Sequence, residues 1–366
     1  MPRPIVIFGQ ESIIRHVLAS PGNSQFEDTV PTPSTRSPKD APLDWTVILF
    51  VTLSPLVSAA GAAWWIASGH FHAATLWLAL GFATATGLAV TAGYHRMFAH
   101  RAFEAPWITR LALLLTASAG FQNSALVWAI GHRKHHRYLD GPGDPYGINH
   151  GFWYAHFLWM FRQVQWQKGD PVPPDLLADP LVRFQHRFYA PLSGIFGLAL
   201  PTAIASLWGD PWGGFFVAGL ARIVINHHLT FAINSVCHTF GSQPYSSKHT
   251  GRDHWFTATL TYGEGYHNFH HEFPGDYRNG HKPWHWDPTK WLVYTLGRAR
   301  LASNLRMVSD AMIEGRRARQ TARRSGTSQV DTAVHTSTAP QAPTAARANS
   351  ASQGHAARAV NATSRA

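Results

Sequence analysis

The stretch Trp107 to Ile130, WITRLALLLTASAGFQNSALVWAI, runs directly into His132-Arg133-Lys134-His135-His136, and its reading decides the fold. A helix needs about 20 apolar residues to cross a ~30 Å hydrocarbon core, so length permits a crossing here. Arg110, Gln122 and Asn123 interrupt the apolar pattern, and hydropathy alone leaves both placements open. The histidines around it settle the matter. Three clusters stand out among 23 histidines: His95-Arg96-Met97-Phe98-Ala99-His100, His132 to His136, and His267-Asn268-Phe269-His270-His271. On a helix the HxxHH spacing places imidazoles at i, i+3 and i+4, within about 100° of arc, so the three rings of a cluster point one way. Neutral imidazoles are good ligands for divalent transition metals, whereas crowded imidazolium ions repel one another. Four ligands close a structural zinc site, so the eight rings of these clusters suit two ions rather than one. Five residues apart on a helix is about 140° of rotation, which would let His95 and His100 address different ions. Ligands must lie about 2 Å from an ion, so every cluster belongs on the same side of a bilayer and an even number of crossings separates them. Trp107 to Ile130 therefore lies in the interface or re-enters as a helix beneath a metal-binding cap.

Outward from this stretch, four others have the length and apolarity of crossings: Thr46 to Ser68, Ala73 to Gly93, Phe188 to Trp208 and Trp212 to Val236. They form two hairpins joined by Gly69-His70-Phe71-His72 and Gly209-Asp210-Pro211, turns without Lys or Arg. Of 31 basic residues only Arg222 falls within a span. The positive-inside rule then puts both termini and the histidine clusters in the cytoplasm and both short turns outside. A charged fraction of 14% and 15 tryptophans agree with a membrane protein. One cysteine, Cys237, excludes an intrachain disulfide and a zinc finger.

The domain plan is a polar N-terminal segment (1–44) with no secretory signal, a membrane domain (45–308) and a disordered basic tail (314–366). No Leu, Ile, Met or aromatic residue follows Ile313, leaving little apolar surface to offset ordering entropy. The tail's arginines suit a solvated tail, or contact with anionic lipid. The expected fold is an all-α integral membrane protein, with four transmembrane helices in two hairpins and a cytosolic helical cap.

The second hairpin ends in Asn234-Ser235-Val236-Cys237-His238. His238 emerges at the level of the clusters as a ninth ligand, and Asn234, one turn earlier, is placed to hold a metal-bound water. His227 and His228 lie about 15 Å deeper along the helix and are assigned to packing or support. Asp140, Asp144 and Glu264 are candidates to orient ligand imidazoles, with loop or capping roles equally open; His156 is a candidate supporting residue. The other histidines outside the clusters are read as surface or packing residues. An all-nitrogen two-metal site is a poor arrangement for hydrolysis, which usually adds a carboxylate base, and suits redox chemistry on an apolar substrate.

HRMFAH, HRKHH, NSVCH and GEGYHNFHH occur in this order, with FQN at Phe121 to Asn123, Trp128, and DPTKW at Asp287 to Trp291. In these features the chain resembles the membrane fatty acyl desaturases of the acyl-CoA delta-9, stearoyl-CoA type, over roughly Trp45 to Val308. The resemblance implies a di-iron enzyme that uses O2 and two electrons to remove two hydrogens from a saturated acyl chain, leaving a cis double bond and water. It implies as iron ligands His95, His100, His132, His135, His136, His238, His267, His270 and His271, with Asn234 acting through water. Gln122, Asn123 and Trp128 are the implied substrate contacts. The animal members carry an Arg-Asp pair where this chain has Ile130-Gly131, which leaves CoA open against an acyl-lipid or acyl-carrier substrate. Expected partners are a fatty acyl-CoA, O2, membrane lipid and a separate ferredoxin-like or cytochrome b5-like electron donor, with no nucleic acid. A related di-iron hydroxylase acting on a lipid or alkane shares the ligand logic. A membrane metal transporter fits poorly, since it would carry its polar ligands within the spans.

Overall fold

The computed structural model describes residues 41–162 and 173–326. Most of the polar N-terminal segment, and residues 327–366 of the basic tail, lie outside that range. The described chain is helical, with isolated β-bridges and no strand among the described residues.

Among the described residues, four helices are long and apolar enough to cross a membrane: α1 (Trp45–Ala67), α2 (Ala73–Ala99), α6 (Tyr189–Ser206) and α7 (Pro211–Thr239). Between the hairpins lie α3 (Trp107–Ser118), α4 (Ala125–Tyr138) and α5 (Pro180–Arg187); after them come α8 (His267–Glu272), α9 (Pro288–Arg298) and α10 (Asp310–Arg324). Leu49, Leu53, Leu56, Trp77, Leu80 and Ile225 are exposed on the crossing helices, the apolar outer surface that a helix needs against lipid. Asp44 starts α1 by accepting a hydrogen bond from the Val47 amide at 3.2 Å.

At the far ends of the hairpins Asp210 is 2% exposed and ties the two together. It accepts from Trp65 Nε1 at 2.9 Å, from Thr75 Oγ1 at 2.5 Å and from the Gly213 amide at 2.9 Å. Asp210→Ala leaves these buried donors unpaired and is expected to cost about 2–4 kcal/mol. Thermal unfolding in detergent should show it as a lowered midpoint, and an unchanged midpoint would refute the latch.

The second crossing extends beyond the expected Gly93. Its last ten residues, Val90–Ala99, widen to π-helical geometry, with the His100 amide bonded to the His95 carbonyl at 3.1 Å. In an i→i+5 turn, residues five apart stand nearly one above the other. His95 and His100 thus share a face, and the expectation that they address different ions is corrected.

Trp107 to Ile130 does not cross, but neither is it one helix. It breaks between α3 and α4, where Phe121 and Asn123 take φ of 53° and 74°, and Ser124 caps α4 by accepting from the Val127 amide. Gly120 packs so closely on α2 that a Cβ there would approach Thr86 to 3.0 Å. This break turns α4 back toward the histidines. Arg110, the charge that made the stretch ambiguous, pairs with Asp179 beside α5. A buried apolar cluster under the cap joins Val90, Phe98, Leu113, Leu114, Leu126 and Val293 from α2, α3, α4 and α9.

The expectation of disorder from Glu314 is also corrected, because the chain is helical to Arg324. Ile313 is 1% exposed and packs with Tyr245, Phe269 and Phe273, so it anchors a helix rather than ending the fold. Polar contacts hold the next turns: Arg316 Nε meets Glu272 at 2.7 Å, and Gln320 exchanges hydrogen bonds with Gln243 and Ser247. Deleting Glu314 onward is expected to lower the thermal midpoint by several degrees, while deleting only 327–366 keeps every contact named here. Equal midpoints for the two truncations would contradict this packing.

Candidate metal centre

The histidines converge. His95, His100, His132 and His270 offer ring nitrogens within 4.8 Å of one another, and His135, His238, His267 and His271 form a second such group. His136 stands between them, its Nε2 3.0 Å from that of His270 and its ring centroid 4.5 Å from those of both His100 and His271. The rings of one HxxHH cluster, expected to point one way, divide between the two groups. His132 faces the first group and His135 the second, and α8 likewise sends His270 to the first and His267 and His271 to the second. An arc of about 100° is wide enough to straddle two sites when the helix runs between them.

Facing Nε2 atoms lie 2.7 Å apart for His100 and His132, 3.1 Å for His95 and His270, 3.0 Å for His238 and His267, and 3.4 Å for His135 and His271. Two nitrogens each ~2.1 Å from a shared ion stand about 3.0–3.4 Å apart, so most of this spacing is that of ligands around a common metal.

The outer ring nitrogens carry the matching information. His95 Nδ1 meets Glu264 at 2.7 Å, and His135 Nδ1 meets Asp144 at 2.8 Å. His238 Nδ1 meets Thr250 Oγ1 at 2.7 Å; the Thr250 hydroxyl donates to Asp140 at 2.6 Å and therefore accepts from His238. These acceptors hold the proton on Nδ1 and leave the Nε2 lone pairs turned inward, which is the tautomer a metal needs. His132 Nδ1 lies 3.2 Å from the Tyr146 hydroxyl. Asp144 and Glu264 thus orient imidazoles directly, and Asp140 does so through Thr250. Tyr146 and Thr250 were missed, since a lone hydroxyl in a loop carries no sequence signal of its own. The residues fit two metal ions.

Burial, followed by repulsion from neighbouring imidazoles, holds His136, His267, His270 and His271 well below the ordinary imidazole value of 6.5. His100 and His132 shift the same way, for the same leading reason. For such depressed groups the stability contribution is full above 6.5 and is lost as pH falls below it toward the folded values. Dialysis at stepped pH should show bound metal retained through pH 6.5 and released only in more acid buffer; release beginning above 6.5 would contradict the burial.

A cavity adjoins both groups. His95, His132, His135, His267 and Asn234 line its polar part, and Val47, Phe50, Val51, Val90, Val127 and Ile233 supply apolar wall. Gln122, Asn123 and Trp128 all border it. Trp128 stacks on His132 with centroids 4.8 Å apart, and Gln122 Nε2 donates to Thr230 Oγ1 at 2.9 Å. Arg162, absent from the sequence reading, is the only Lys or Arg lining this cavity among the described residues. His227 and His228 stay out of the metal groups. His227 lines the cavity, and His156 packs against α7 outside the metal groups, meeting His228 at 3.1 Å and Ser235 Oγ at 2.9 Å.

Comparison with known proteins agrees with this geometry. The family model for fatty acid desaturases matches residues 70–294. The chain is 39% identical over 274 residues to a probable acyl-CoA desaturase of Schizosaccharomyces pombe, covering 74% of this chain and 56% of that protein. It is 35% identical to stearoyl-CoA desaturase 5 of Bos taurus, covering 64% of this chain and 72% of the relative. It is 42% identical to the delta(9)-fatty-acid desaturase fat-5 of Caenorhabditis elegans, over 53% of this chain and 60% of the relative. The chain spans little more than half the length of the fission yeast relative.

Proposed function

This chain belongs to the fatty acid desaturase family, and from that premise we propose that it desaturates a saturated long-chain fatty acyl group carried on CoA, inserting a cis double bond at the delta-9 position. The observation that carries the reading is the junction of two imidazole groups with one apolar cavity. The names of the relatives support acyl-CoA as the carrier and delta-9 as the position.

The proposed ligands are His95, His100, His132, His135, His136, His238, His267, His270 and His271, with Asn234 acting through water. Two irons held there would supply the O2-dependent oxidation: acyl chain, O2, two electrons and two protons give the unsaturated chain and two waters. The protein's own groups do the rest. Glu264, Asp144 and Thr250 hold His95, His135 and His238 in fixed tautomers, so ligand geometry is set before substrate arrives. The valine and phenylalanine walls exclude water and confine the chain to an extended path past the two groups, which fixes the carbon presented for oxidation. Gln122, Asn123 and Trp128 border that path as substrate contacts, and Arg162 is the cation available to a head-group phosphate. Electrons come from a separate carrier of ferredoxin or cytochrome b5 type. The proposed orientation puts both termini and the cap in the cytoplasm, a reading supported by the basic residues outside the spans.

The test is expression in a host lacking the activity, followed by gas chromatography and mass spectrometry of the acyl products. A new cis double bond at carbon 9 supports the reading; a hydroxylated chain without a double bond, the outcome expected of a related di-iron hydroxylase, defeats it.

A further inference from the structure

We propose that Arg222 and His227 are positioning residues that fix the depth to which an acyl chain is gripped, by clamping the turn at 119–123 against the crossing helices. The inference rests on the acyl reading of the cavity. Arg222 is 2% exposed and, among the described residues, has no carboxylate within ion-pair distance. Its guanidinium donates only to main-chain carbonyls: Ala218 at 3.1 Å on its own helix, Ala119 at 2.8 Å at the end of α3, and Gly197 at 2.8 Å on α6. A buried charge within a crossing helix is costly, and here it joins the end of α3, α6 and α7. The planar fork reaches two carbonyls at once, a geometry that the single ammonium of lysine does not reproduce.

His227 completes the clamp one residue along. Its Nε2–H donates to the Gly120 carbonyl at 2.8 Å. What the two residues hold is a turn that would not hold itself, because Phe121 sits at φ 53°. A bulky side chain keeps that left-handed conformation only where its surroundings fix it. The turn is also wedged on α6, where a Cβ at Gly197 would come within 2.6 Å of the Phe121 ring and 2.9 Å of the Ala119 carbonyl.

The clamped turn is part of the cavity wall. Phe121 stacks on Phe50 with centroids 5.7 Å apart, Phe50 meets the His227 ring at 6.0 Å, and His227 meets Phe231 at 5.6 Å. His227 thus lines the cavity with one face and pins Gly120 with its ring nitrogen. It lies two helical turns before Asn234 on α7, roughly 10 Å from the metal-proximal part of the cavity. Releasing the turn would let Phe121 and Gln122 shift together and change the space open to the chain, with no metal ligand touched.

The experiment compares wild type, His227→Leu, His227→Gln and Arg222→Lys by three readouts. These are hydrogen exchange of the 119–124 amides in detergent, bound metal per chain, and kcat and KM for saturated acyl thioesters of graded length. His227→Leu keeps bulk but loses the donor. It should speed exchange at 119–124 by about tenfold, the loss of one buried hydrogen bond, and broaden the length preference through KM with metal content retained. His227→Gln, which keeps an N–H donor, should restore both, while Arg222→Lys should match His227→Leu or exceed it. Unchanged exchange and length preference in His227→Leu would overturn the clamp, as would metal loss in step with activity. A wild-type protein that turns over no acyl thioester would instead defeat the acyl reading, and with it the depth assignment, while the exchange data still report whether the turn is held.

Discussion

His270→Ala is expected to remove desaturation to background, a loss of more than ~100-fold, with bound metal falling while the protein stays in the membrane fraction. The reason is position: His270 Nε2 lies 3.1 Å from that of His95 and 3.0 Å from that of His136, so one ring joins the first group to the histidine standing between the groups. It is 1% exposed, and alanine would leave a buried polar gap that no neighbouring ligand fills. Metal analysis and product yield on the same preparation check the claim. Wild-type yield from this variant would remove His270 from the ligand set.

Glu264→Ala is expected to have the second largest effect, and for a different reason. Glu264 is 3% exposed and holds His95 Nδ1 at 2.7 Å, Arg96 through two hydrogen bonds of 2.8 and 3.2 Å, and Asn279 Nδ2 at 2.8 Å. Burial opposes its ionisation, yet His95 and Arg96 together hold the carboxyl down at about 2. Its stabilising contribution is therefore present above the ordinary value of 4.5 and is lost only as pH falls toward 2. Removing one partner of a buried ion pair costs about 3–5 kcal/mol, because the remaining charge stays buried. Asp287, 0% exposed, still faces Arg96 at 3.0 Å and limits the damage. The variant should show a lowered thermal midpoint together with at least a tenfold weaker hold on metal. A changed midpoint with unchanged metal affinity would make Glu264 a packing residue and nothing more.

The convergence of the histidines was legible because their spacing repeats. Clustered histidines with helical spacing have few uses, and the demand that all of them reach one side of a bilayer placed the non-crossing stretch without any structure. Local backbone geometry was not legible. The π-helical widening at Val90–Ala99, which turns His95 and His100 onto one face, carries no pattern that periodicity detects. The same holds for the break at Phe121 and Asn123, whose backbone is held by tertiary contacts: Arg222, His227 and Gly197 against Ala119 to Phe121, and the Tyr189 and Tyr94 hydroxyls on Asn123. The division of each HxxHH cluster between the two groups depends on where α4 and α8 run relative to each other, which is tertiary information. At the C-terminal end the failure was compositional. The ordering of α10 rests on one buried isoleucine and on Arg316 and Gln320, and counting apolar residues beyond Ile313 could not reveal these contacts.

Elemental analysis of the protein, purified from iron-replete cells without chelator, tests the central claim most directly. Eight imidazoles in two adjoining groups, with His136 between them, would hold about two metal atoms per chain, and the proposed oxidation calls for iron. One metal atom per chain or none, or zinc alone at any ratio, would contradict it.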